Sequence, residues 1–216
     1  MIDLEQLILA SARQRHELEL QGFCFLGDID DAAAQRFSQS LLLMAIPRRG
    51  DPSSPITVYI NSGGGSVGSG IAIMEMIYKT RAEYGVTINT VVTGFAYSMG
   101  AIVFQAGDRR RLGSYSTLML HSPQWFLQGT DQRVFTDYAV LAEHYKNLVA
   151  NLFADRTKQH DPAWWQEFIY SGRDRFLTAR ECLDLGLADE LYDKQELLPP
   201  SPVPGAGITP APASEL

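Results

Sequence analysis

Gly94-Phe95-Ala96-Tyr97-Ser98-Met99-Gly100-Ala101 follows a run that reads as a buried strand, Val86 to Thr93, and leads into an apolar segment, Ala101 to Ala106. A strand that hands over sharply to a helix exposes the side chain at the turn. It also aims the first free N–H groups of the helix at whatever that side chain attacks. A nucleophilic serine needs both features. A serine ahead of a helix also serves as an ordinary N-cap, and the strict G-x-S-x-G spacing is absent here. Locally both readings of Ser98 stand, and the rest of the chain decides between them.

Upstream lies a second strand-to-helix junction. Ile56-Thr57-Val58-Tyr59-Ile60 is β-branched and aromatic, a strand pattern, and it runs into Asn61-Ser62-Gly63-Gly64-Gly65-Ser66-Val67. A helical pattern through Ile71, Met74, Ile77 and Tyr78 follows. Three consecutive glycines let a backbone come very close to a ligand. A phosphate cradle would need G-x-x-x-x-G-K-[ST], which is absent. Gly63, Gly65 and Gly68 match G-x-G-x-x-G, but the next strand, Thr87 to Thr93, supplies no acidic residue for a dinucleotide. The remaining use is N–H groups that bind an oxyanion or an extended peptide backbone.

Before this junction, Leu4 to Leu20 carries a helical pattern that turns strongly polar from Arg13 to Glu19, and its state is left undecided. Gly22 to Gly27 brackets a short apolar strand, and Asp28 to Asp31 offers N-cap candidates for a helix over about 32–45. Beyond Ser98, Asp108-Arg109-Arg110-Arg111 reads as a solvated basic turn. Thr117-Leu118-Met119-Leu120 is a short strand that delivers His121 at its end. A long helical pattern spans 130–157, and Asp161-Pro162 opens a short helix carrying Trp164, Trp165 and Phe168. Thr178 with Glu181 forms a capping box for a helix closed by Gly186. From Pro199 the chain is Pro, Ala, Gly and Ser, a composition that predicts disorder.

The chain has 216 residues, 45% hydrophobic and 20% charged, enough for one sizeable core. A net charge of −7 argues against a protein built to hold nucleic acid. Four histidines and two cysteines leave little material for a metal site, and Cys24 and Cys182 read as buried reduced thiols. No apolar run approaches the ~20 residues of a membrane helix. The acidic N-terminus lacks the basic start of a signal peptide, so a soluble cytoplasmic protein is expected.

Strand, glycine loop, helix, then strand, Ser98, helix, then strand and His121 is an α/β order whose strand ends converge on one crevice. A serine and a histidine at neighbouring strand ends could meet, with a later carboxylate orienting the imidazole. Asp155, Asp161, Asp174 and Asp184 are all available, and spacing does not choose among them.

Four segments together resemble the Clp protease proteolytic subunit (ClpP) family, in its order and at its spacing. They are Ile60 to Val67, Gly94 to Ala101, Leu120-His121-Ser122-Pro123, and Gly172-Arg173-Asp174-Arg175-Phe176-Leu177-Thr178-Ala179 running on to Asp189. The resemblance covers about Gly22 to Leu191. It implies an α/β spiral of repeated β-β-α units, the ClpP/crotonase fold, with a handle helix projecting over about 124–157. It also divides the chain into a variable N-terminal segment (1–21), a peptidase domain (22–193) and a tail (194–216).

By position, the resemblance makes Ser98 the nucleophile, His121 the general base and Asp174 the carboxylate that orients it. The N–H groups of Gly65 and Met99 become the oxyanion hole, and Gly64, Gly65 and Gln124 bind the substrate peptide. It implies a serine endopeptidase that works inside an oligomeric chamber of two stacked heptamers, needs no metal or cofactor of its own, and is fed by an ATP-driven AAA+ unfoldase. Gly63 stands where the family has proline, and Trp125-Phe126 where its handle has Gly-Gly. The family's N-terminal Tyr-Ser-Arg-Leu-Leu segment has no counterpart in residues 1–19. That departure suits a stand-alone or phage-type processing protease. A non-catalytic ring subunit and an acyl-CoA enzyme of the crotonase type are further alternatives. The first would usually lose a triad residue, and the second does not need the Ser-His-Asp set.

Overall fold

The computed structural model describes residues 4–123 and 132–193. The predicted tail, Gln124 and the Trp125-Phe126 pair lie outside these residues. In chain order the elements are α1 (Leu4–Leu20), β1 (Phe23–Leu26), α2 (Asp31–Ala45), β2 (Ile56–Ser62), α3 (Val67–Tyr84), β3 (Ile88–Tyr97) and α4 (Met99–Phe104). There follow β4 (Arg110–Leu112), β5 (Thr117–Leu120), α5 (Gln132–Thr157), α6 (Pro162–Tyr170), β6 (Arg175–Thr178), α7 (Ala179–Asp184) and β7 (Glu190–Leu191). The segment left undecided at the N-terminus is helical.

Local chemistry accounts for the boundaries. Asp30 caps α2 by accepting from the Ala33 N–H, and Asp161 caps α6 from the Trp164 N–H with Pro162 in the first turn. The Thr178–Glu181 capping box opens α7. Strands β2 and β3 alternate because one face meets the helices, and Ile56, Val58, Ile60, Ile88 and Val92 are buried there beneath α2, α3 and α4. Cys24 and Cys182 are buried free thiols, and burial pushes Cys24 up to about 12, so it stays inert.

The strands run β1-β2-β3-β4-β7, all parallel, and a branch leaves this path at β3. Its first part, Thr90 to Val92, pairs with β4, while Phe95 to Tyr97 pairs with β5. The register against β2 jumps at the same place, from Ile60↔Val92 to Ser62↔Ala96. Gly94 sits in this bulge with φ of 108°, a conformation that suits only glycine, and a bulge bends and twists its strand. The strand therefore continues past Thr93, its predicted end, to Tyr97, changing partner instead of stopping.

One expectation is corrected. Arg109-Arg110-Arg111 is not a solvated turn, because β4 runs through it and Arg110 is buried. Its guanidinium holds both carboxylate oxygens of Asp189, at 2.6 and 3.2 Å, and donates to Gln105 Oε1 at 2.7 Å. Burial raises the Asp189 carboxyl, but the Arg110 hydrogen bonds and charge outweigh it and hold the group below its ordinary range. A partner 79 positions away lies beyond the reach of any local pattern.

Candidate active site

Ser98 stands between β3 and α4, where its N–H donates to the Met119 carbonyl at 2.8 Å and ties the turn to β5. Its backbone has φ 53° and ψ −123°, outside the regions an L-residue prefers, at a cost of about 1–3 kcal/mol. The side chain makes no capping bond to α4. Instead Ser98 Oγ lies 2.8 Å from His121 Nε2. The half-buried serine thus occupies a cap position without capping, and of its two local readings the geometry supports the one that aims the hydroxyl at a base.

His121 and Asp174 come together through register. Strand β5 pairs antiparallel with β6, and the last matched pair is Leu120↔Arg175. The next residues outward are His121 and Asp174, so the ladder itself sets them opposite each other. Of the four aspartates left open by spacing, the topology brings this one to the histidine. His121 Nδ1 and Asp174 Oδ1 are 3.9 Å apart, an ion-pair distance longer than a hydrogen bond, and the Asp174 side chain is 57% exposed. Arg175 fastens the start of β6 to α6. Its Nε donates to the Phe168 carbonyl at 3.1 Å, one terminal nitrogen donates to Ser171 Oγ at 3.0 Å, and the guanidinium lies over the Phe168 ring.

The glycine loop is held against the same turn. Ile29 bridges it by donating to the Gly64 carbonyl and accepting from the Ser66 N–H, each at 2.8 Å, so the Gly65 N–H takes no part in the bridge. Gly65 has φ of 142°, and a Cβ there would lie 2.1 Å from the Ile29 carbonyl oxygen. A Cβ on Gly64 would lie 2.8 Å from that of Ser98. The loop therefore packs directly against the serine. Met99 opens α4, so its N–H is one of the helix's unpaired first donors. Gln124 falls outside the described residues.

Beside the Ser98–His121 pair lies an apolar cavity walled by Val67, Ile71, Met99, Leu148, Val149 and Ile169, with Tyr145 and Tyr170 on its rim from α5 and α6. Burial, reinforced by Glu143, pushes the Tyr170 hydroxyl up to about 12, so it stays protonated and polar without carrying charge. Sequence reading missed this wall. Its residues sit among ordinary core positions of long helices, and nothing local marks those that face a crevice.

A strand-end serine bonded to a histidine, with a carboxylate opposite, a glycine loop behind and an apolar cavity alongside, is the outline of an α/β serine hydrolase. The sequence model of the Clp protease family matches residues 14–195, and the chain belongs to that family. It is 33% identical over 176 residues to the ATP-dependent Clp protease proteolytic subunit 2 of Rhodococcus jostii (strain RHA1), covering 79% of this chain and 83% of the relative. It is 32% identical over 185 residues to proteolytic subunit 3 of the same organism, covering 84% and 86%. To proteolytic subunit 2 of Corynebacterium glutamicum (strain ATCC 13032) it is 34% identical over 178 residues, covering 80% and 82%. The fold is accordingly the ClpP type, and the protein is a ClpP-type serine peptidase.

Proposed function

We propose that the protein is an endopeptidase that cleaves unfolded proteins or peptides with Ser98, His121 and Asp174. The observation that carries this reading is the 2.8 Å contact between His121 Nε2 and a Ser98 Oγ that caps nothing. Ser98 Oγ attacks the scissile carbonyl carbon while Nε2 takes its proton. The N–H groups of Met99 and Gly65 receive the negative charge that develops on the carbonyl oxygen. Nε2 then protonates the departing amine, and a water activated by the same nitrogen hydrolyses the acyl-enzyme. Asp174 keeps the imidazole in the tautomer with its proton on Nδ1, and closing the 3.9 Å gap to a hydrogen bond accompanies substrate binding. The Gly64–Gly65 segment takes the substrate as an added strand, with Gln124 beside it. The apolar cavity receives the side chain on the acyl side of the cut, which favours a bulky apolar residue.

The peptidase works in an oligomeric chamber, two stacked heptamers fed by an AAA+ unfoldase in the cytoplasm, with residues 22–193 as the catalytic domain and 124–157 as the ring-to-ring handle. Support comes from the relatives, which are named subunits of an ATP-dependent protease. It also comes from α5, 26 residues long and hence about 39 Å, whose first half exposes Tyr138, Val140 and Leu141. Among the described residues no helix is long and apolar enough to cross a membrane.

The continuous helix α1, where the family has its Tyr-Ser-Arg-Leu-Leu segment, favours a second reading: a processing protease that works without an unfoldase. Labelling with a fluorophosphonate probe, on a sample sized in solution, tests the first. An adduct on Ser98 in a ring-sized particle is expected, and an assembled but unlabelled sample would make the chain a structural subunit. Complete digestion of a folded substrate by the protein alone would decide for the second reading.

A further inference from the structure

The glycine loop is longer than the gap it crosses. Pairing between β1 and β2 ends at Leu26↔Ile60 and resumes as a single bridge at Ile29↔Gly65. Two residues, Gly27 and Asp28, separate these pairs on one side, and four, Asn61 to Gly64, on the other. The loop therefore carries slack, and it is rich in glycine, which restricts a backbone least. Proline would fix such a turn by itself, because its ring sets φ and it has no N–H to place. Gly63 does neither, so the shape has to be imposed from outside the loop.

The short side imposes it. Asp28 Oδ1 accepts from the Gly63 N–H at 3.2 Å, across 35 positions of sequence. Beside it the Ile29 N–H donates to the Gly64 carbonyl, and the Ile29 carbonyl accepts from the Ser66 N–H, both at 2.8 Å. Asp31 continues the series, its Oδ1 accepting from Ser69 Oγ at 2.5 Å and tying the start of α2 to the start of α3. On the loop's own side, Ser62 Oγ accepts from the Gly64 N–H at 3.1 Å. The N–H groups of Gly63, Gly64 and Ser66 are all taken in this way, and these bonds leave out Gly65. A Cβ on Gly64 would lie 2.8 Å from both the Ser98 Cβ and the Tyr97 carbonyl oxygen, so any shift of the loop is felt at the Ser98 turn.

We infer that Asp28 is a positioning residue: its carboxylate takes up the slack at Gly63, so that the Gly65 N–H, and not a neighbouring one, faces the carbonyl that Ser98 attacks. The inference rests on the reading of Gly65 as an oxyanion donor. Asp28 itself touches no reacting atom and works through the loop. The placement of such a donor matters steeply, since an error of about 1 Å can cost about 10²-fold in rate. An ionised acceptor makes a shorter and stronger bond than a neutral one, which suits a tether at an exposed position where water competes.

Steady-state hydrolysis of a peptide by the assembled full chain tests it. Asp28→Ala is expected to lower kcat about five-fold, the effect of one exposed hydrogen bond, with little change in KM. Affinity for a peptide boronate, whose tetrahedral adduct on Ser98 engages the oxyanion donors, is expected to fall by the same factor. Asp28→Asn keeps an acceptor at the same place, and Gly63→Pro in the Asp28→Ala background removes the need for one, so each should recover most of the loss. Circular dichroism and light-scattering mass equal to those of the unaltered chain establish that the variants are folded and assembled. An Asp28→Ala variant as active as the unaltered chain would overturn the inference. So would a lowered kcat with unchanged boronate affinity, or a loss that neither second change recovers. Ser98→Ala separates this result from the catalytic reading. Hydrolysis that survives Ser98→Ala defeats that reading, whereas an inactive Ser98→Ala beside a fully active Asp28→Ala defeats the inference alone.

Discussion

At Ser98 the backbone energy and the chemistry pull against each other, and this makes the residue informative to mutate. Ser98→Ala removes the proposed nucleophile but keeps a Cβ at φ 53°, whereas Ser98→Gly removes the hydroxyl and the strain together. Both variants should lose at least about 10³-fold in peptidase rate and all fluorophosphonate labelling. Ser98→Gly should in addition be more stable than Ser98→Ala by about 0.5–1 kcal/mol, read from paired denaturant titrations. Equal stabilities would mean that the turn relaxes without cost. Gly65→Ala is the opposite case. Its Cβ would overlap the Ile29 carbonyl, so the Ile29 bridge must break. Activity should fall with little loss of secondary structure, because the glycine loop, not the sheet, gives way. Asp174→Asn should lower kcat by about 10²-fold or more while KM changes little, since its proposed role concerns the imidazole and not the substrate.

Among the elements, β6 has the narrowest margin for error, because a four-residue strand carries Asp174 at its mouth and is clamped to α6 by Arg175. Arg175→Ala should reduce kcat and leave binding of a peptide aldehyde nearly intact, with Arg175→Lys giving poor rescue because a lysine cannot reproduce the planar fork. Strand β7 is held by the Arg110–Asp189 pair. The Asp189 carboxyl is depressed in the folded state, so its contribution is present above the unfolded pKa, near 3.9, and is lost as pH falls through the lower folded value. Asp189→Asn should cost about 1–3 kcal/mol at pH 7 and flatten the acid limb of the stability profile, as urea titrations from pH 3 to 7 would show. This pair also marks the limit of what the chain discloses when read as text. Caps, the Thr178 box, the β-branched run before the glycine loop and the strand-end position of His121 are local, and each was legible. The partner of Arg110, the strand that Tyr97 joins and the choice of Asp174 over Asp155 are set by pairings between distant segments. No local periodicity encodes them, and among the four aspartates only the family resemblance singled out Asp174, the one that lies 3.9 Å from His121.

For the whole molecule, the first half of α5 leaves Tyr138, Val140 and Leu141 exposed among the described residues, and the proposed contact between rings would cover them. Val140, 69% exposed, is the most open of them. If the rings form as proposed, Val140→Glu should reduce the particle mass in light scattering while leaving circular dichroism unchanged, and an unchanged mass would exclude that surface from the proposed contact. The branch of the sheet at Gly94 has a further consequence, one of timing. Because β3 shares its second half with β5, and β5 meets β6 only after α5 and α6 have been passed, Ser98 leaves the ribosome about 75 residues before Asp174. At 5–20 residues per second that is an interval of about 4–15 s. Throughout it the proposed nucleophile is present, and the aspartate proposed to orient its base has not yet emerged. A nascent chain of this peptidase therefore lacks the complete proposed triad until Asp174 has emerged.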